Sequence, residues 1–408
     1  MKPLGPIPAG FDAVNGELAI GGQAVSALVE QAGETPLFVY SRDMITQRIA
    51  DLRRAMPDHV KINYAIKANS FRAVLEHVST FVDGLDIASG GELEMVEAIG
   101  FDLTKVSFAG PGKRDSELEA AIAAGVTLNL ESANEARRAL AIAERLGTTP
   151  RLAIRVNPDF DLKGSGMKMG GGPKPFGIDA SQVPALAREV AEAGCDWRGL
   201  HIFTGSQALS AEAVIDMQAK VLELAARITE DAGVGLPKLN MGGGFGIPYF
   251  AGDEPLDIAT VGAALDKRFS ALPDSLQDTE FFLELGRYLV GEAGVYLTRI
   301  LDRKQSYGET YLVTDGGLHH QLAASGNFGT VVRRNYPVAI ATRFDAEPQE
   351  EVNVVGCLCT PLDRLADKAH LPRADVGDIV AVFCAGAYGA SASPSAFLGQ
   401  GPASEILV

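Results

Sequence analysis

Two hydrophobic patterns alternate along the chain. Short apolar runs with a period of two are followed by segments such as ELEMVEAIG and DSELEAAIAAG, whose apolar residues recur at helical spacing and which end in Gly, a common helix cap. This alternation predicts repeated strand–helix units. The predicted strands are VKINYAIKANS from Val60, GLDIASGGE from Gly84, VSFAGPGK from Val106, TLNLES from Thr127, RLAIRVNP from Arg151, WRGLHIFTGS from Trp197, KLNMGGGFG from Lys238 and FFLELGR from Phe281.

The number of units indicates the fold class. Eight strand–helix units over about 240 residues predict an α/β fold of the (β/α)8 barrel type, whose active site lies at the C-terminal ends of the strands. A doubly wound sheet is the competing architecture. It is disfavoured because no GxGxxG sequence separates the first strand from its helix.

The pattern changes near residue 300, where alternating runs such as TYLVTDGG, EVNVVGCLC and DIVAVFCAGAYG replace the helical segments. This predicts a second, β-rich domain at the C-terminal end. The early run TPLFVYS is compatible with either domain. We place the barrel at 38–295 and the β-rich domain at 1–37 and 296–408.

Composition narrows the class of function. The chain has 408 residues, is 47% hydrophobic and carries a formal net charge of -16, which argues against binding nucleic acid. No apolar run is long enough for a membrane span, and the opening MKPLGPIPAGF lacks the apolar core of a signal peptide, so we expect a cytoplasmic protein without a membrane partner. The four cysteines have neither disulfide nor zinc-ligand spacing, and we expect reduced thiols and no metal site.

The end of the first predicted strand carries Lys67, where the apolar alternation leads towards the interior. A lone lysine at a strand end is more often a surface residue. At the C-terminal end of a barrel strand, however, a lysine lies where barrel active sites are found, and a partly desolvated amine there can form a Schiff base with a carbonyl.

Two other strand ends complement this lysine. The glycine run 242–246 ends the seventh strand, where backbone N–H groups can approach a phosphate, and Glu284 precedes Arg287 at the end of the eighth. Taken alone, a glycine run is usually a turn, and an acid beside an arginine is usually a structural ion pair. Together, a lysine for an imine, glycines for a phosphate and an acid for a pyridinium nitrogen predict a pyridoxal 5'-phosphate site.

Seven separated motifs carry a family resemblance: YAIKAN, DIASGGE, GLHIFTGSQ, GGGFG, ELGR, GCLCTPLD and GAYGAS. In this order they resemble the fold type III pyridoxal-phosphate decarboxylases, the family of diaminopimelate, ornithine and arginine decarboxylases, over nearly the whole chain. The resemblance implies an alanine racemase-like barrel with a decarboxylase-type C-terminal domain, and a homodimer in which the β-rich domain contributes to shared active sites.

The resemblance also assigns roles to residues. It implies α-decarboxylation of an amino acid or aminoacyl substrate through a Schiff base on Lys67, with Glu284 on the pyridine nitrogen. It also implies Cys359 as proton donor to the α-carbon, with the freed Lys67 as a competing donor. The other cysteines, Cys195, Cys357 and Cys384, are expected to pack as small apolar side chains. Cofactor contacts are implied at Lys67, His201, Phe203, Ser206, Gly243, Gly244, Glu284, Gly286, Arg287 and Tyr388.

Three positions depart from the family pattern. Phe203 replaces the second histidine of the motif that stacks on the cofactor, and Thr360 replaces an acid that meets the distal amino group of a diamino-acid substrate. A buried ammonium facing only a hydroxyl would lack charge compensation, at a cost of several kcal/mol. Asp363 is close enough in sequence to substitute, so substrate contacts are predicted at Arg287, Thr360 and Asp363. The tail at 397–401 also lacks the polar substrate contact of the family.

These departures are most similar to an exosortase A system-associated subgroup and to decarboxylases of aminoacyl groups held on an acyl carrier protein. An ordinary diaminopimelate decarboxylase of lysine biosynthesis is the first alternative, and a catalytically inactive regulatory homologue is an alternative of another class. A racemase is disfavoured by Cys359 and by the ELGR and GGGFG motifs. The glycine-rich stretch Gly164–Gly172 predicts either a surface loop or a lid.

Overall fold

The computed structural model describes residues 1–160, 167–326 and 333–408. The chain forms two compact units. The barrel unit comprises residues 49–246 and 255–286, and the β unit comprises residues 1–48, 247–254 and 287–408.

The barrel unit is built on a closed sheet of eight parallel strands, as predicted. Each strand pairs with the next in chain order, and the last pairs with the first, so that Leu283 lies opposite Ile62. The eight predicted strands are confirmed. They span Val60–Ala65, Gly84–Ile87, Val106–Phe108, Thr127–Leu130, Arg151–Asn157, Asp196–Ile202, Lys238–Gly243 and Glu280–Leu285.

Helices follow the first seven barrel strands, and their ends carry the capping signals of the sequence. The hydroxyls of Ser89 and Ser132 accept hydrogen bonds from backbone N–H groups of the first turns, and Gly147 and Gly233 end their helices in the left-handed conformation. The helices span Arg72–Ser79, Gly90–Ala98, Asp115–Ala123, Ala133–Leu146, Val183–Glu192, Ala211–Ala232 and Ile258–Phe269, while Arg42–Ala55 precedes the first strand.

The β unit is organised around the 13-residue strand Gly294–Ser306, which pairs with three others. The N-terminal part of this unit forms a separate three-stranded antiparallel sheet and the helix Val25–Ala32. The remaining strands are Asp12–Val14, Glu17–Ile20, Gln23–Ala24, Leu37–Tyr40, Glu309–Thr314, Val338–Ile340, Glu350–Val355, Arg364–Leu371, Ile379–Val382 and Ser404–Leu407.

The unit boundaries differ from the proposed division at 38–295. Leu37–Tyr40 pairs antiparallel with Gly294–Ser306 and parallel with Ser404–Leu407, so it belongs to the β unit. All four of its residues are buried, and a strand buried on both faces gives no alternation that would identify its sheet. Among the described residues, we find no helix with the length and apolar character needed to cross a bilayer.

Candidate active site

Lys67 lies in a tight turn, Ile66–Ala68, that directly follows the first barrel strand. Gly286 allows this turn to pack closely, because a Cβ at that position would lie 2.8 Å from the Cβ of Ala68 and 3.0 Å from the carbonyl oxygen of Ala65. Ile66 and Ala68 are buried, whereas the Lys67 side chain is 43% exposed. The turn therefore fixes the backbone and leaves the amine accessible to a ligand.

Glu284 contacts this lysine from the last barrel strand. One carboxylate oxygen, Oε1, lies 3.7 Å from the Nζ of Lys67, and the other, Oε2, lies 2.9 Å from the Nε2 of His201. Burial of Glu284 acts to raise its pKa, but the proximity of His201, followed by the charges of Lys67 and Arg155, lowers the pKa to about 2. Glu284 is therefore a carboxylate at neutral pH despite being only 6% exposed.

The arrangement leaves buried polar atoms without hydrogen bonds. Although the Nε2 of His201 lies 2.9 Å from the Oε2 of Glu284, within the described parts of the chain neither this oxygen nor the ring nitrogens of His201 have a hydrogen-bond partner. Burying such atoms costs free energy unless a bound ligand supplies their missing hydrogen bonds. An ionised acceptor beside an accessible lysine fits pyridoxal phosphate, whose protonated ring nitrogen donates one hydrogen bond.

A second carboxyl group, Asp86, lies near Glu284 and is not among the residues predicted from the sequence. It is buried on the second strand and accepts a hydrogen bond from the Nδ2 of Asn63 at 3.3 Å. Burial, followed by the charge of Glu284, raises the pKa of Asp86. Asp86 therefore holds a proton more readily while Glu284 remains ionised, since two buried carboxylates at close range repel each other. Only the position of Asp86 inside the DIASGGE motif could have indicated it.

Phe203 lies near the lysine, immediately after the strand that carries His201. The Nζ of Lys67 is 5.8 Å from the centroid of its ring. The aromatic residue predicted to stack on the cofactor is thus placed beside the lysine predicted to bind it. A phenyl ring offers its face for stacking but has no hydrogen-bonding group.

The predicted phosphate-binding residues of the barrel lie on two loops that are joined by backbone hydrogen bonds. The Ala208 N–H donates to the carbonyl of Gly244, and the Gly246 N–H donates to the carbonyl of Ala208, both at 2.9 Å. Ser206 therefore lies close to the glycine run. Gly243 has no room for a side chain, because a Cβ there would be 2.2 Å from the carbonyl oxygen of Glu284. Glycine at this position lets the glycine run 242–246 pack directly against the strand of Glu284.

In the β unit, Arg287 lies among tyrosine side chains. Its Nη1 donates to the hydroxyl of Tyr249 at 2.7 Å, and its guanidinium carbon lies 4.7 Å from the ring centroid of Tyr388 and 5.5 Å from that of Tyr249. Burial acts to lower the pKa of Arg287, but Tyr249, Tyr388 and Tyr336 raise it above its usual value. Tyr249 and Tyr336 belong to no motif, so sequence reasoning had no signal for either.

The predicted substrate and proton-donor residues lie together on one turn of the β unit. Cys359 is exposed and Thr360 is half-buried, but Asp363 is only 2% exposed. Both Asp363 oxygens accept backbone hydrogen bonds, Oδ1 from Leu318 at 2.7 Å and Oδ2 from Leu358 at 2.8 Å. The carboxylate of Asp363 is therefore engaged within the fold, and the substrate contacts at Arg287, Thr360 and Asp363 stay predictions.

The other cysteines differ from Cys359 in their surroundings. Cys384 is buried, while Cys195 and Cys357 are half-buried. Burial raises the pKa of all three thiols. They therefore remain protonated and poorly reactive at neutral pH.

The glycine-rich stretch Gly164–Gly172 falls partly outside the described residues, so its role as a lid or a surface loop stays a prediction. Of this stretch, Met167–Lys168 pairs through its backbone with Gly205–Ser206. The pairing brings one part of the stretch next to the predicted phosphate ligand Ser206.

Comparison with known proteins identifies the family. The family model described as "Pyridoxal-dependent decarboxylase, pyridoxal binding domain" matches residues 42–291. An L-glutamyl-[BtrI acyl-carrier protein] decarboxylase from Niallia circulans is 36% identical over 94% of this chain and 91% of its own. A diaminopimelate decarboxylase from Archaeoglobus fulgidus is 33% identical over 98% of this chain and 93% of its own.

Solved structures agree with this family. The diaminopimelate decarboxylase from Helicobacter pylori complexed with L-lysine has 26% sequence identity and a TM-score of 0.82, with 94% of each chain covered. The protein AQ1208 from Aquifex aeolicus has 28% identity and a TM-score of 0.83, with 98% of this chain and 92% of its own covered. The chain therefore belongs to the pyridoxal-dependent decarboxylase family and is a pyridoxal-phosphate-dependent amino-acid decarboxylase.

Proposed function

We propose that this enzyme decarboxylates an aminoacyl group held as a thioester on a carrier protein. The observation that carries the proposal is the turn at 356–363. Thr360 offers no charge, and the carboxylate of Asp363 is occupied by two backbone N–H groups. Neither residue is suited to receive the distal ammonium of a diamino acid, whereas a thioester needs no such partner. The similarity to a decarboxylase named for a glutamyl-carrier substrate supports the same substrate class.

In this proposal, Lys67, Glu284 and the joined loops at Ser206 and 242–246 hold the cofactor. The amine of Lys67 would bind its aldehyde carbon, and the loops would receive its phosphate. The carboxylate of Glu284 would accept the hydrogen bond of the ring nitrogen. Because the pKa of Glu284 is about 2, the carboxylate would not remove that proton near neutral pH.

Bound pyridoxal phosphate supplies an electron sink for the pair of electrons that remains on the α-carbon when the substrate carboxylate leaves as carbon dioxide. The chain must then return one proton to that carbon. We assign this step to the thiol of Cys359, which is exposed at the tip of its turn. The net change replaces a carboxylate on the α-carbon with a hydrogen atom.

Free meso-diaminopimelate is the second candidate substrate. Several relatives named diaminopimelate decarboxylase match nearly the whole chain, including one that is 33% identical over 98% of it. In that case, a group other than Asp363 has to receive the distal ammonium.

The deciding experiment measures carbon dioxide release by the pyridoxal-phosphate-loaded enzyme. The substrates are L-glutamyl-carrier protein and the free amino acids meso-diaminopimelate, lysine, ornithine, arginine and glutamate. Carbon dioxide release from the carrier-bound glutamyl group, with none from the five free amino acids, supports the proposal. Rapid turnover of free meso-diaminopimelate establishes the alternative.

We also propose a homodimer in which the turn of Cys359 completes the site of the second copy. Its support is the exposure of Cys359 together with that of Leu362, an apolar side chain that is 56% exposed on the same turn. Mixing inactive Lys67→Ala and Cys359→Ala proteins under conditions of subunit exchange should restore part of the activity. No recovery, despite exchange shown by mass, would contradict a shared site.

We also propose that the protein belongs to the exosortase A system-associated subgroup, which the departures at Phe203, Thr360 and 397–401 resemble. If so, its gene should lie beside genes for an exosortase, exopolysaccharide synthesis or an acyl carrier protein. A location among lysine-biosynthesis genes would instead favour diaminopimelate as substrate.

A further inference from the structure

We propose that Asp363 is a positioning residue, whose carboxylate fixes the turn 356–363 and thereby the location of the Cys359 thiol. The inference rests on the proposed role of Cys359 as proton donor. It assigns to Asp363 a function that differs from the substrate contact expected from the sequence.

The carboxylate joins two segments that are distant in sequence. Leu358, which precedes Cys359, donates its backbone N–H to Oδ2 at 2.8 Å, and Leu318 donates to Oδ1 at 2.7 Å. The link ties the turn to the segment after the strand Glu309–Thr314. Hydrogen bonds from N–H groups to an ionised acceptor are stronger than those between neutral groups.

Backbone hydrogen bonds then close the turn around the same residue. The Gly356 N–H donates to the carbonyl of Asp363 at 3.0 Å, and the Asp363 N–H donates to the carbonyl of Thr360 at 3.3 Å. The Thr360 N–H donates to the carbonyl of Leu358 at 2.8 Å. Cys359 thus lies between Leu358 and Thr360, which both take part in these hydrogen bonds, while its own side chain is exposed.

Two glycines provide the space for the carboxylate. A Cβ on Gly317 would lie 2.2 Å from Oδ1 of Asp363, and a Cβ on Gly356 would lie 2.3 Å from Oδ2. Neither glycine has a positive φ, so its backbone does not itself require glycine. The missing side chains are explained by the close approach of Asp363.

A carboxylate is suited to this position in a way that an amide is not. Its two oxygens both accept, whereas an asparagine has one accepting oxygen and an NH₂ group that would oppose the second N–H. Burial raises the pKa of Asp363, and the N–H groups of Leu318 and Leu358 counter this effect. Burying the charge is unfavourable in itself, which argues that the residue serves the geometry of the turn.

The experiment compares Asp363→Asn with Asp378→Asn in the pyridoxal-phosphate-loaded enzyme. Asp378 is a matched control in the same unit, because its carboxylate binds Thr342, Arg343 and the Asp375 N–H rather than the turn. Two quantities are measured: kcat and KM for L-glutamyl-carrier protein, and the pH profile of Cys359 alkylation by iodoacetamide, followed by mass spectrometry of the Cys359 peptide.

For Asp363→Asn we expect kcat to fall about ten-fold or more, because displacements near 1 Å can cost up to about 10²-fold in rate. KM and the cofactor absorbance should stay unchanged, while the rate or pH profile of Cys359 alkylation shifts. Asp378→Asn should change none of these. An unchanged alkylation profile in Asp363→Asn, or a raised KM with unchanged kcat, would overturn the inference.

If Asp363→Asn does not fold, a second variant, Gly356→Ala, tests the same inference. Gly356→Ala keeps the charge of Asp363 but places a methyl group against its Oδ2, so it should shift Cys359 alkylation in the same way. Normal alkylation and turnover in Gly356→Ala would overturn the inference. The alkylation measurement also separates the two proposals: if Cys359→Ala retains full turnover, the proton-donor role fails, while a shifted alkylation profile still supports positioning by Asp363.

Discussion

The Nζ of Lys67 lies 3.7 Å from the Oε1 of Glu284, so that the turn after the first barrel strand contacts the last barrel strand. These strands pair directly, with Leu285 opposite Tyr64. Closure of the barrel therefore creates the contact between the proposed cofactor lysine and its carboxylate. Neither strand could supply both groups alone.

Replacing Lys67 by Ala should abolish both carbon dioxide release and the visible absorbance of lysine-bound pyridoxal phosphate. In the proposed function the amine of Lys67 binds the cofactor aldehyde, and alanine has no nucleophile. Lys61→Ala is the matched control, because Lys61 lies on the strand that precedes Lys67 and pairs with Glu280 at the N-terminal ends of the strands. The absorbance spectrum and the circular dichroism of both variants are compared. An unchanged visible spectrum in Lys67→Ala would refute the assignment.

Glu284→Gln should retain the fold and the cofactor but lose turnover by about 10²-fold or more, as is typical when a group that controls a proton is removed. Glutamine preserves the shape of Glu284 but lacks the charge that, in the proposed function, would keep the ring nitrogen of the cofactor protonated. Single-turnover carbon dioxide release tests this expectation, with Glu280→Gln as control at the opposite end of the same strand. Turnover within two-fold of the wild type would contradict the role of Glu284.

Arg287→Lys should weaken binding of pyridoxal phosphate or of the substrate anion by about ten-fold, or roughly 1.4 kcal/mol. Lysine keeps the charge but loses the planar donor group that lies over Tyr388 and bonds to Tyr249. Equilibrium titration with the cofactor and measurement of KM show which ligand is affected. Arg299→Lys, which changes an exposed contact to the carbonyl of Gly377, is the control.

Cys359→Ala should lower kcat by about 10² to 10⁴-fold, the usual range for a general acid, without altering the cofactor spectrum. Cys195→Ala is the control, since that thiol donates to the Val190 carbonyl within the barrel unit. Solvent deuterium isotope effects on kcat test the same step. Full activity of Cys359→Ala would move the proton-donor role to another group, with Lys67 as the competing donor.

His320 should make the stability of the protein depend on pH. Burial, followed by the proximity of His319, lowers the pKa of His320 to about 4, and the neutral ring bonds to Tyr296 and to the Gly401 carbonyl. The unfolded state therefore binds more protons between its ordinary pKa, near 6.5, and about 4. Stability is fully present above that window and is lost as the pH falls through it.

The measurement is the free energy of unfolding in urea at pH 7 and pH 5, with and without the His320→Gln change. His320→Gln should reduce the difference between the two pH values, although it also removes hydrogen bonds and lowers stability at pH 7. His59→Gln, at an exposed site in the barrel unit, is the control variant. An identical pH dependence in His320→Gln and wild type would rule out this linkage.

The barrel could be predicted because its signals are local. Each strand–helix unit has its own change of period and its own cap, and the strand ends of Lys67 and Glu284 follow from the strand assignments. The boundaries could not be predicted, because Leu37–Tyr40 is buried on both faces and its partners lie far along the chain. Periodicity indicates that a segment is a strand but does not identify its neighbour.

The same distinction limits what the sequence indicates within the site. The sequence favours a substrate contact at Asp363, because an acid shortly after Thr360 looks the same in sequence whether it binds a substrate or backbone N–H groups. One of its hydrogen-bond partners in the fold, Leu318, is 45 positions away. Tyr249 is missed for a similar reason, because its contact with Arg287 spans 38 positions and follows no motif.

The pairing of Leu37–Tyr40 with Ser404–Leu407 also has a consequence for synthesis of the chain. The hydroxyl of Tyr40 donates to the Oε2 of Glu405 across 365 positions, whereas each barrel strand adjoins the next strand made. Contacts of such separation form late and slowly. The barrel can thus close while the polypeptide is still emerging from the ribosome, whereas Leu37–Tyr40 pairs with Ser404–Leu407 only after residue 404 has been synthesised. Until then, the edge of Leu37–Tyr40 lacks this partner strand and can pair with another chain. We therefore expect chains truncated before residue 404 to depend on chaperones.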